Sequence, residues 1–391
     1  MPSMSLTQTI YETFRSTYPG QPQLFRAPGR INLIGEHTDY NEGFVLPAAI
    51  DKEMVFAIAP SVTDRSRVYA WNFHTEYKFD ISRIFPAEKP FRWANYLLGV
   101  VQQIQSLGFE VPPFNCVFGG NVPSGAGMSS SAAIECGLAT ALNSAFGLGL
   151  EPLVLAQLAQ KAENEFVGIK CGIMDQFACI FGQADQVIQL DCRSLAHSYF
   201  PLMLGDYELL LCDSGVRHSL ATSQYNTRRQ QCEAGVQLLQ TVYPNLASLR
   251  DVTPDMLTAQ AHRFTPIILR RCHYVVAENQ RVTDTCHHLQ AGDFAKVGQK
   301  LYESHQGLQM DYEVSCVELD RLVDLAKDDP QVAGARMMGG GFGGCTLNLI
   351  RRGAVETFVE KTTQSYKKTT GIDLKTYQIS LAPGAGPASL G

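Results

Sequence analysis

The sequence has no uninterrupted hydrophobic run long enough to cross a bilayer. Hydrophobic residues make up 45% of its 391 positions, but they are broken up everywhere by polar and charged ones. The first twenty residues also lack the continuous apolar segment of a signal peptide. We therefore expect a cytoplasmic protein with no membrane partner.

Closely spaced cysteine pairs and a positive net charge are also absent. The eleven cysteines are odd in number, occur singly from Cys116 to Cys345 and include no C-x-x-C pair, which argues against a disulfide framework and a zinc site. The net charge is −6 and the short basic pairs are dispersed, which disfavours nucleic acid as a partner. An anionic ligand must therefore be bound locally.

The sequence shows no repeat of fixed period, no low-complexity tract and no obvious flexible linker. Its length exceeds that of one ordinary hydrophobic core and predicts two or three domains. Residues 1–205 mix strand-like runs with helical patterns, a helical stretch runs from Gln224 to Met310, and strands then return. Strands gathered in blocks predict an α+β fold rather than a doubly wound parallel sheet or a (β/α)₈ barrel.

A cluster of polar residues follows a strand-like run near the N-terminus, in the segment APGRINLIGEHTDYNEG. Ile31, Leu33 and Ile34 indicate the end of a short strand, and Gly35 breaks it. The acids and the histidine that follow should stand on a turn. Three uses of such a cluster are open: a metal ion, a hydroxyl-rich substrate or the backbone of the turn itself.

The segment FGGNVPSGAGMSSSAAIECGLATALNSAFG changes from a strand to a Pro/Gly/Ser loop and then to a helix, which Gly147 ends. Gly125 and Gly127 let backbone N–H groups turn inward, and three serines add hydroxyl donors at the positive end of the helix. The segment predicts an anion-binding loop, with an ordinary serine N-cap as the alternative. It lacks the Walker pattern and its lysine, so phosphate charge would be met by the backbone, Mg²⁺ and a distant group.

A second glycine-rich segment, MMGGGFGGCTLNLI, contains G-x-G-x-x-G at Gly339, Gly341 and Gly344. A dinucleotide fingerprint opens a helix, whereas these glycines run into a strand-like stretch. We predict a tight strand-to-strand loop. It is either a hairpin without a ligand or a loop that a ligand or another backbone approaches closely.

Two acidic residues stand among hydrophobic neighbours. Glu163 falls on the edge of an apolar helical face, whereas Glu165 points away from it. A partly buried carboxylate needs a cation, which for Glu163 is either a Lys or Arg or Mg²⁺. Asp175 lies in the apolar run CGIMDQFACIFG, where its compensation would come from N–H groups at a helix terminus or from an arginine across a cleft.

Taken together, these segments resemble the GHMP small-molecule kinase family. GRINLIGEHTDYN is similar to the sugar-binding signature of its galactose-phosphorylating members, NVPSGAGMSSSAAIE to its phosphate loop and GGGFGGC to its third motif. The resemblance extends over nearly the whole chain through RWANYLLGV, CGIMDQF, LDCRSL, QYNTRRQQCE and ESHQGLQMDYEVSC.

This resemblance implies a two-domain α+β fold of the GHMP kinase type, with an N-terminal domain like ribosomal protein S5 domain 2, a C-terminal α+β domain and an active site in the cleft between them. We assign residues 1–205 to the sugar- and ATP-binding domain and 206–391 to the C-terminal domain. The implied reaction transfers phosphate from ATP to the 1-hydroxyl of α-D-galactose, giving galactose 1-phosphate and ADP. The implied ligands are galactose, ATP and Mg²⁺, and the implied assembly is a monomer or a weak homodimer.

The resemblance also assigns roles to individual residues. Sugar hydroxyls would be held by Glu36, His37, Thr38, Asp39, Gly172 and Tyr225. The ATP phosphates would be wrapped by Gly125, Ala126, Gly127, Met128, Ser129, Ser130 and Ser131. Adenine would lie near Trp93, and Ser131 and Glu163 would ligate Mg²⁺. Asp175 would accept the proton of the anomeric hydroxyl, while Arg30 would stabilise charge on the sugar oxygen or the γ-phosphate.

Three residues depart from the family pattern, and two other functions stay open. Ser124 and Met128 differ from the commonest residues of the phosphate loop, but their backbone roles should survive. Met338 occupies a position where the family usually has threonine, which puts a hydroxyl contact there in doubt. An N-acetylgalactosamine kinase would need a pocket for a bulky 2-substituent. A non-catalytic sensor that binds galactose and ATP would lack the Ser-Ala step of the phosphate loop, whereas Ser131-Ala132 is intact here.

Overall fold

Hydrophobic strands of the first half of the chain assemble into one six-stranded sheet. The computed structural model describes residues 4–217 and 221–390. With strands numbered in chain order, this sheet contains β1 (Gln23–Asn32), β3 (Pro47–Pro60), β4 (Ser66–Ala70), β5 (Thr75–Phe79), β6 (Phe114–Gly120) and β13 (Gly386–Pro387). The spatial order is β13-β1-β3-β6-β4-β5. Only the β4–β6 pair within it is parallel.

Helices cover both faces of this sheet. They are α1 (Leu6–Thr17), α2 (Ala94–Ser106), α3 (Ser130–Ala145), α4 (Pro152–Lys161) and α5 (Met174–Phe181). On β3, Phe56 and Ile58 belong to the main core, whereas Val55 and Ala57 pack in a separate cluster with Phe14 of α1. A strand buried on both faces reads as a continuous apolar run, because neither set of alternate side chains meets water.

Two smaller sheets and a group of helices complete the fold. A three-stranded antiparallel sheet contains β2 (Phe44–Val45), β7 (Gln186–Asp191) and β8 (His197–Pro201). A four-stranded antiparallel sheet contains β9 (Tyr207–Asp213), β10 (Val332–Met337), β11 (Cys345–Arg351) and β12 (Lys375–Gln378), in the order β10-β11-β9-β12. The helices are α6 (Ala221–Gln240), α7 (Pro254–Gln260), α8 (Pro266–Gln290), α9 (Phe294–Gln306), α10 (Val317–Lys327) and α11 (Val355–Thr370).

The predicted α+β class is confirmed, as are the helical stretch from Gln224 to Met310 and the loop between two strands, now β10 and β11. The prediction of a short strand reaching Ile34 is wrong, because β1 has ten residues and ends at Asn32. Leu33 and Ile34 bend away from the regular pairing to exchange backbone hydrogen bonds with Leu46. Within the described ranges, no helix is long and apolar enough to cross a membrane.

Candidate active site

The polar loop that follows β1 is a turn held by distant parts of the chain. The backbone N–H of Gly35 donates to Glu278 of α8 at 3.0 Å, and the Tyr274 hydroxyl of the same helix donates to the carbonyl of Glu36 at 2.9 Å. Gly35 has a φ of 102°, a backbone conformation that would be strained in a residue with a side chain. The loop is therefore a turn, as its sequence predicts, and hydrogen bonds from residues more than 230 positions away hold it in place.

Thr38, predicted as a sugar-binding residue, is fully buried inside this turn. Its hydroxyl lies 2.9 Å from the carbonyl oxygen of Gly35 and 2.6 Å from that of Phe44. Thr38 does not line the cavity described below. In the structure, then, its side chain closes the turn rather than facing a ligand.

His37 lines the cavity, but the protein already occupies both of its ring nitrogens. Nε2 lies 3.2 Å from the carbonyl oxygen of Gly340, and Nδ1 lies 2.7 Å from the Tyr40 hydroxyl. Burial lowers the pKa of His37 to about 3, so the imidazole is neutral at physiological pH. Nε2 then donates to the carbonyl and Nδ1 accepts from Tyr40, whose oxygen is 2.7 Å from the Tyr312 hydroxyl.

Asp39 and Gly172 are packed directly against each other. A Cβ atom on Gly172 would lie 2.2 Å from Oδ2 of Asp39, so only glycine leaves room for this carboxylate. The other oxygen, Oδ1, accepts the backbone N–H of Tyr40 at 2.9 Å. Burial and then the charge of Asp175 raise the pKa of Asp39 to about 7. Gly172 therefore packs against Asp39, which lines the cavity described below, whereas Gly172 itself does not line it.

Arg30 and Asp175 form a bidentate ion pair. Nε of Arg30 donates to Oδ1 of Asp175 at 2.8 Å, and Nη2 donates to Oδ2 at 3.0 Å. Nη1 of the same arginine donates to the carbonyl of Gly127, and the Ser129 hydroxyl donates to Oδ2 of Asp175. Desolvation opposes the charge of Arg30, but Asp175 and Glu36 outweigh it and raise the arginine's pKa. Of the two groups predicted to compensate the charge of Asp175, helix-terminus N–H groups or an arginine, the structure shows the arginine.

These side chains surround one cavity of about 120 Å³. The predicted residues that line it are Arg30, Glu36, His37, Asp39, Glu163, Asp175 and Tyr225. Other lining residues are Ile169, Cys171, Met174, Gly339 and Gly340. A small cavity bordered by carboxylates, an arginine and two aromatic rings suits a compact ligand rich in hydroxyl groups.

The predicted anion-binding loop lies between β6 and α3. Gly125 and Gly127 have φ values of 70° and 78°, as an inward-turning glycine loop requires. Ser129 precedes α3 with a φ of 56° and makes no side-chain capping bond. Its hydroxyl is used on Asp175 instead, so the serine N-cap alternative is not realised. The loop therefore shares a residue with the ion pair.

A cation that the sequence did not reveal borders this loop. Nε of Arg217 donates to the carbonyl of Ser124 at 3.2 Å, and the guanidinium also pairs with Asp213 at 2.7 Å. The Arg217 side chain lies so close to Gly125 that a Cβ there would be 2.6 Å from Cδ. Arg217 comes from the segment after β9, far from the loop in sequence.

Glu163 is buried in a π-helical segment, Ala162–Val167, at the end of α4. It accepts a hydrogen bond from Gln176 at 2.8 Å and also bonds to Ser131 and Cys171, rather than to a Lys or Arg. Burial and then the charge of Asp175 raise the pKa of Glu163 to about 7. A buried carboxylate beside the phosphate loop with no Lys or Arg partner among residues 4–217 and 221–390 fits a cation such as Mg²⁺.

A second acid, Glu135 of α3, adjoins Glu163 and was not predicted. Glu135 is fully buried, and its Oε1 has no hydrogen-bond partner within the described part of the chain. Burial and then the charge of Glu163 raise its pKa. No group of three or more His, Cys, Asp or Glu in residues 4–217 and 221–390 is arranged to hold a metal. Mg²⁺ bound with a nucleotide generally takes one or two carboxylates, and phosphates and water supply the rest.

A more apolar cavity of about 310 Å³ lies on the other side of the phosphate loop. Phe73, Phe118 and Ser130 are among its lining residues. The ring of Trp93, predicted to lie near adenine, is 6.5 Å from Phe73 and 5.6 Å from Phe118 between centroids. Trp93 therefore packs beside two aromatic residues of this cavity but does not itself line it.

The second glycine-rich loop lies between the two predicted binding loops. The backbone N–H of Gly339 donates to Glu36 at 2.8 Å, and a Cβ on Gly127 would be 2.9 Å from the carbonyl of Met338. Close approach of another backbone, one of the two alternatives for these glycines, is thus what the geometry shows. Met338 is fully buried in the main core and has no hydroxyl to offer there.

Profiles of known families match the chain in order. The galactokinase galactose-binding signature matches residues 12–60, the GHMP kinases N terminal domain residues 95–183, and the GHMP kinases C terminal residues 287–368. The loop after β1 falls within the first match, and the phosphate loop, Glu163 and Asp175 fall within the second.

Individual proteins match over nearly their whole length. The chain is 41% identical over 381 residues to a galactokinase of Roseiflexus sp. (strain RS-1), covering 97% of each, and 40% identical over 359 residues to one of Thermotoga maritima, covering 92% of this chain and 98% of that protein. The crystal structure of Lactococcus lactis galactokinase complexed with galactose matches with a TM-score of 0.94 at 31% identity, over 98% and 100% of the two chains. A mevalonate kinase shares the fold at a TM-score of 0.63 and 16% identity, over 92% and 98%.

Proposed function

Because the chain belongs to the galactokinase family of the GHMP kinases, it is a kinase, and we propose that it transfers the γ-phosphate of ATP to the 1-hydroxyl of α-D-galactose. The products are galactose 1-phosphate and ADP. The observation that carries this proposal is the Arg30–Asp175 pair, which stands between the small polar cavity and the phosphate loop. A group that activates an acceptor hydroxyl must lie where the acceptor and the phosphate meet.

Asp175 is the proton acceptor in this proposal. It takes the proton of the anomeric hydroxyl as the sugar oxygen bonds to the γ-phosphorus, while the bond from that phosphorus to the bridging oxygen breaks and ADP leaves. Both carboxylate oxygens are fixed by Arg30, and one also by Ser129. This support orients the base and keeps a positive charge next to the oxygen that develops charge in the transition state.

The carboxylates and aromatic groups of the cavity would recognise the sugar. Asp39 and Glu36 would accept hydrogen bonds from sugar hydroxyls, which are stronger when the acceptor is charged. Gly172 keeps the space that Asp39 needs. His37, with both ring nitrogens engaged by the protein, and Tyr225 would contribute ring faces and edges to the wall of the pocket.

The nucleotide would occupy the loop from Gly125 to Ser131 and the adjoining cavity of Phe73 and Phe118. Backbone N–H groups of the glycine loop and the start of α3 suit the phosphates. Ser131 and Glu163 would hold Mg²⁺, which when bound supplies positive charge to the β- and γ-phosphates. This assignment is supported by the burial of Glu163, which accepts a hydrogen bond from Gln176 and has no ion pair with a Lys or Arg of the described residues.

The assignment of whole segments is also a proposal. Residues 1–205 would form the N-terminal domain and 206–391 the C-terminal domain, since the two GHMP profiles fall on either side of this boundary. The exception is β13, which pairs with β1 in the sheet of the N-terminal domain. The protein would act in the cytoplasm, where its eleven free cysteines stay reduced. Sedimentation equilibrium would test the expected monomer or weak homodimer.

One coupled assay tests the proposed reaction. ADP release is measured with ATP, Mg²⁺ and either galactose, glucose, N-acetylgalactosamine or mevalonate. We expect galactose to exceed the other acceptors in kcat/KM by at least about 10²-fold, since buried carboxylates left unpaired penalise the wrong hydroxyl pattern. Faster turnover of N-acetylgalactosamine would favour that kinase instead. Galactose binding without ADP release would favour a sensor.

A further inference from the structure

Arg336, which the sequence analysis did not single out, is a fully buried arginine on β10. Its Nε donates to the carbonyl of Leu33 at 2.8 Å, and Nη2 donates to the carbonyl of Asn32 at 2.6 Å. Nη2 also lies 2.8 Å from Oε1 of Glu36. One arginine therefore binds the end of β1 and the first acid of the sugar loop at the same time.

The positive charge of Arg336 explains why it needs these partners. A buried guanidinium is costly unless a carboxylate and further acceptors compensate it. Glu36 is the carboxylate with which it forms its ion pair, and Glu36 is itself buried. A lysine could not reproduce this arrangement, because one ammonium group cannot span two carbonyls and a carboxylate in the directions that a planar guanidinium reaches.

The contacts on Glu36 are unequal between its two oxygens. Oε1 accepts both from Arg336 at 2.8 Å and from the backbone N–H of Gly339 at 2.8 Å. Both of these donors come from β10 and the loop that follows it. Glu36 lines the small cavity, whereas Arg336 does not. Arg336 thus reaches the cavity only through Glu36.

We propose that Arg336 is a positioning residue for sugar recognition: with Gly339 it holds Oε1 of Glu36 so that Oε2 accepts a hydroxyl of the sugar. This inference rests on the proposed function and adds a residue from the four-stranded sheet to the sugar site. Loss of Arg336 releases Glu36 from its fixed rotamer and leaves a buried charge unpaired. The sugar affinity falls, and the nucleotide affinity does not change.

A double-mutant cycle on the full-length protein tests this inference. Galactose and ADP binding are measured by titration calorimetry for the parent, Arg336→Gln, Glu36→Gln and the double variant. We expect Arg336→Gln to weaken galactose binding by about 10- to 10²-fold, the range for a hydrogen bond to a charged group. In the Glu36→Gln background the same substitution should change galactose affinity less than about twofold, because the partner is already removed.

A buried arginine elsewhere provides the matched control. Arg271 of α8 is only 2% exposed and pairs with Glu313, which does not line the cavity. Arg271→Gln removes a buried guanidinium in the same way, and we expect it to change galactose and ADP affinity less than about twofold. An equal loss of galactose affinity in Arg271→Gln would mean that general destabilisation is responsible, and it would overturn the inference.

A deoxygalactose series gives a readout that loosened packing would not move. In the parent, one of the 2-, 3-, 4- and 6-deoxygalactoses should bind weakly because it lacks the hydroxyl that donates a hydrogen bond to Glu36. This discrimination should disappear in both Arg336→Gln and Glu36→Gln. A parent-like preference in Arg336→Gln would overturn the inference.

The remaining outcomes are also decisive. If Arg336→Gln does not fold, Glu36→Gln is compared with the double variant, because a neutral Gln–Gln pair leaves no unpaired charge. A galactose affinity that is tenfold lower in the double variant than in Glu36→Gln would show that Arg336 acts independently of Glu36, and it would overturn the inference. Failure of the parent to bind galactose would overturn the proposed function and this inference together. Normal parent binding with unchanged Arg336→Gln would overturn the inference alone.

Discussion

Gly172→Ala adds one methyl group at a crowded point of the proposed sugar site. The new Cβ would lie 2.2 Å from Oδ2 of Asp39 and 2.3 Å from its Cγ. Nonbonded heavy atoms approach to about 3.5 Å, so the Asp39 carboxylate must move by about 1 Å. The φ of Gly172 is not positive, so alanine causes no backbone strain, and the effect comes from this contact alone.

A displacement of about 1 Å in a positioning group costs on the order of 10²-fold in rate. We expect kcat/KM for galactose to fall by about that factor in Gly172→Ala, while KM for ATP stays within about twofold. Steady-state ADP release at saturating ATP measures the first quantity. The thermal midpoint should change little, since the displaced carboxylate faces a cavity rather than a packed core.

Two variants separate this contact from other effects of alanine. Gly353→Ala makes the same change where nothing lies within 4 Å of the added Cβ, and it should leave kcat/KM unaltered. In Asp39→Ala the carboxylate is absent and only the contact with Cβ, 2.7 Å from the added atom, remains, so adding Gly172→Ala should cause a smaller further loss than it causes in the parent. If Gly172→Ala keeps kcat/KM within about threefold of the parent, the proposed role of this contact is wrong.

Three further predictions concern the same cavity. Asp175→Asn should fold and bind both ligands but slow single-turnover phosphoryl transfer by about 10²–10⁴-fold, the usual contribution of a general base; Arg30→Lys should also impair turnover, because a point charge cannot replace the bidentate donor. Galactose affinity should fall as the pH drops below 7, by up to about tenfold per pH unit. Burial and the charge of Asp175 raise the pKa of Asp39 to about 7, and the ionised form of Asp39 accepts hydrogen bonds from the sugar. Calorimetry at pH 6, 7 and 8 measures this change. Glu163→Gln should raise the Mg²⁺ concentration that gives half-maximal activity.

Each of these predictions has an outcome that contradicts it. A chemical step in Asp175→Asn within about tenfold of the parent would mean that Asp175 is an electrostatic partner rather than a base. Asp39→Asn is the control for pH, and a galactose affinity that still falls with pH in this variant would assign the titration to another group. Unchanged Mg²⁺ dependence with normal turnover in Glu163→Gln would remove Glu163 from the metal site.

Local patterns in the sequence predicted those parts of the site that neighbouring residues create. Asp175 is conspicuous because a lone carboxylate in an apolar run needs compensation, and a nearby arginine was one of two alternatives. Gly125 and Gly127 take the positive φ values that their loop suggested. Glu163 lies on the buried side of its helix and Glu165 on the exposed side, because helical spacing alone separates the two positions.

Hydroxyl and carboxylate partners were harder to foresee. Thr38 belongs to the same short motif as the cavity-lining acids, yet its hydroxyl closes the turn. Ser129 stands at an N-cap position, yet its hydroxyl reaches Asp175. A side chain with several possible acceptors is directed by the one that folding brings closest, and the sequence does not state which one that is.

The two glycine loops, the polar turn after β1 and the two buried acids could be predicted from the sequence, because each depends on the spacing of neighbouring residues. The α+β class could be predicted from the order of strand-like and helical blocks along the chain. The partners of these features depend on tertiary packing. Arg336 is joined to Glu36 across 300 positions, and Arg30 to Asp175 across 145. Arg336 is the only charged residue between Asp329 and Arg351, so the sequence carries the same local signal as for Asp175. Its partner is set by the contact of β10 with the end of β1, and a buried charge shows its role only when its partner is in place.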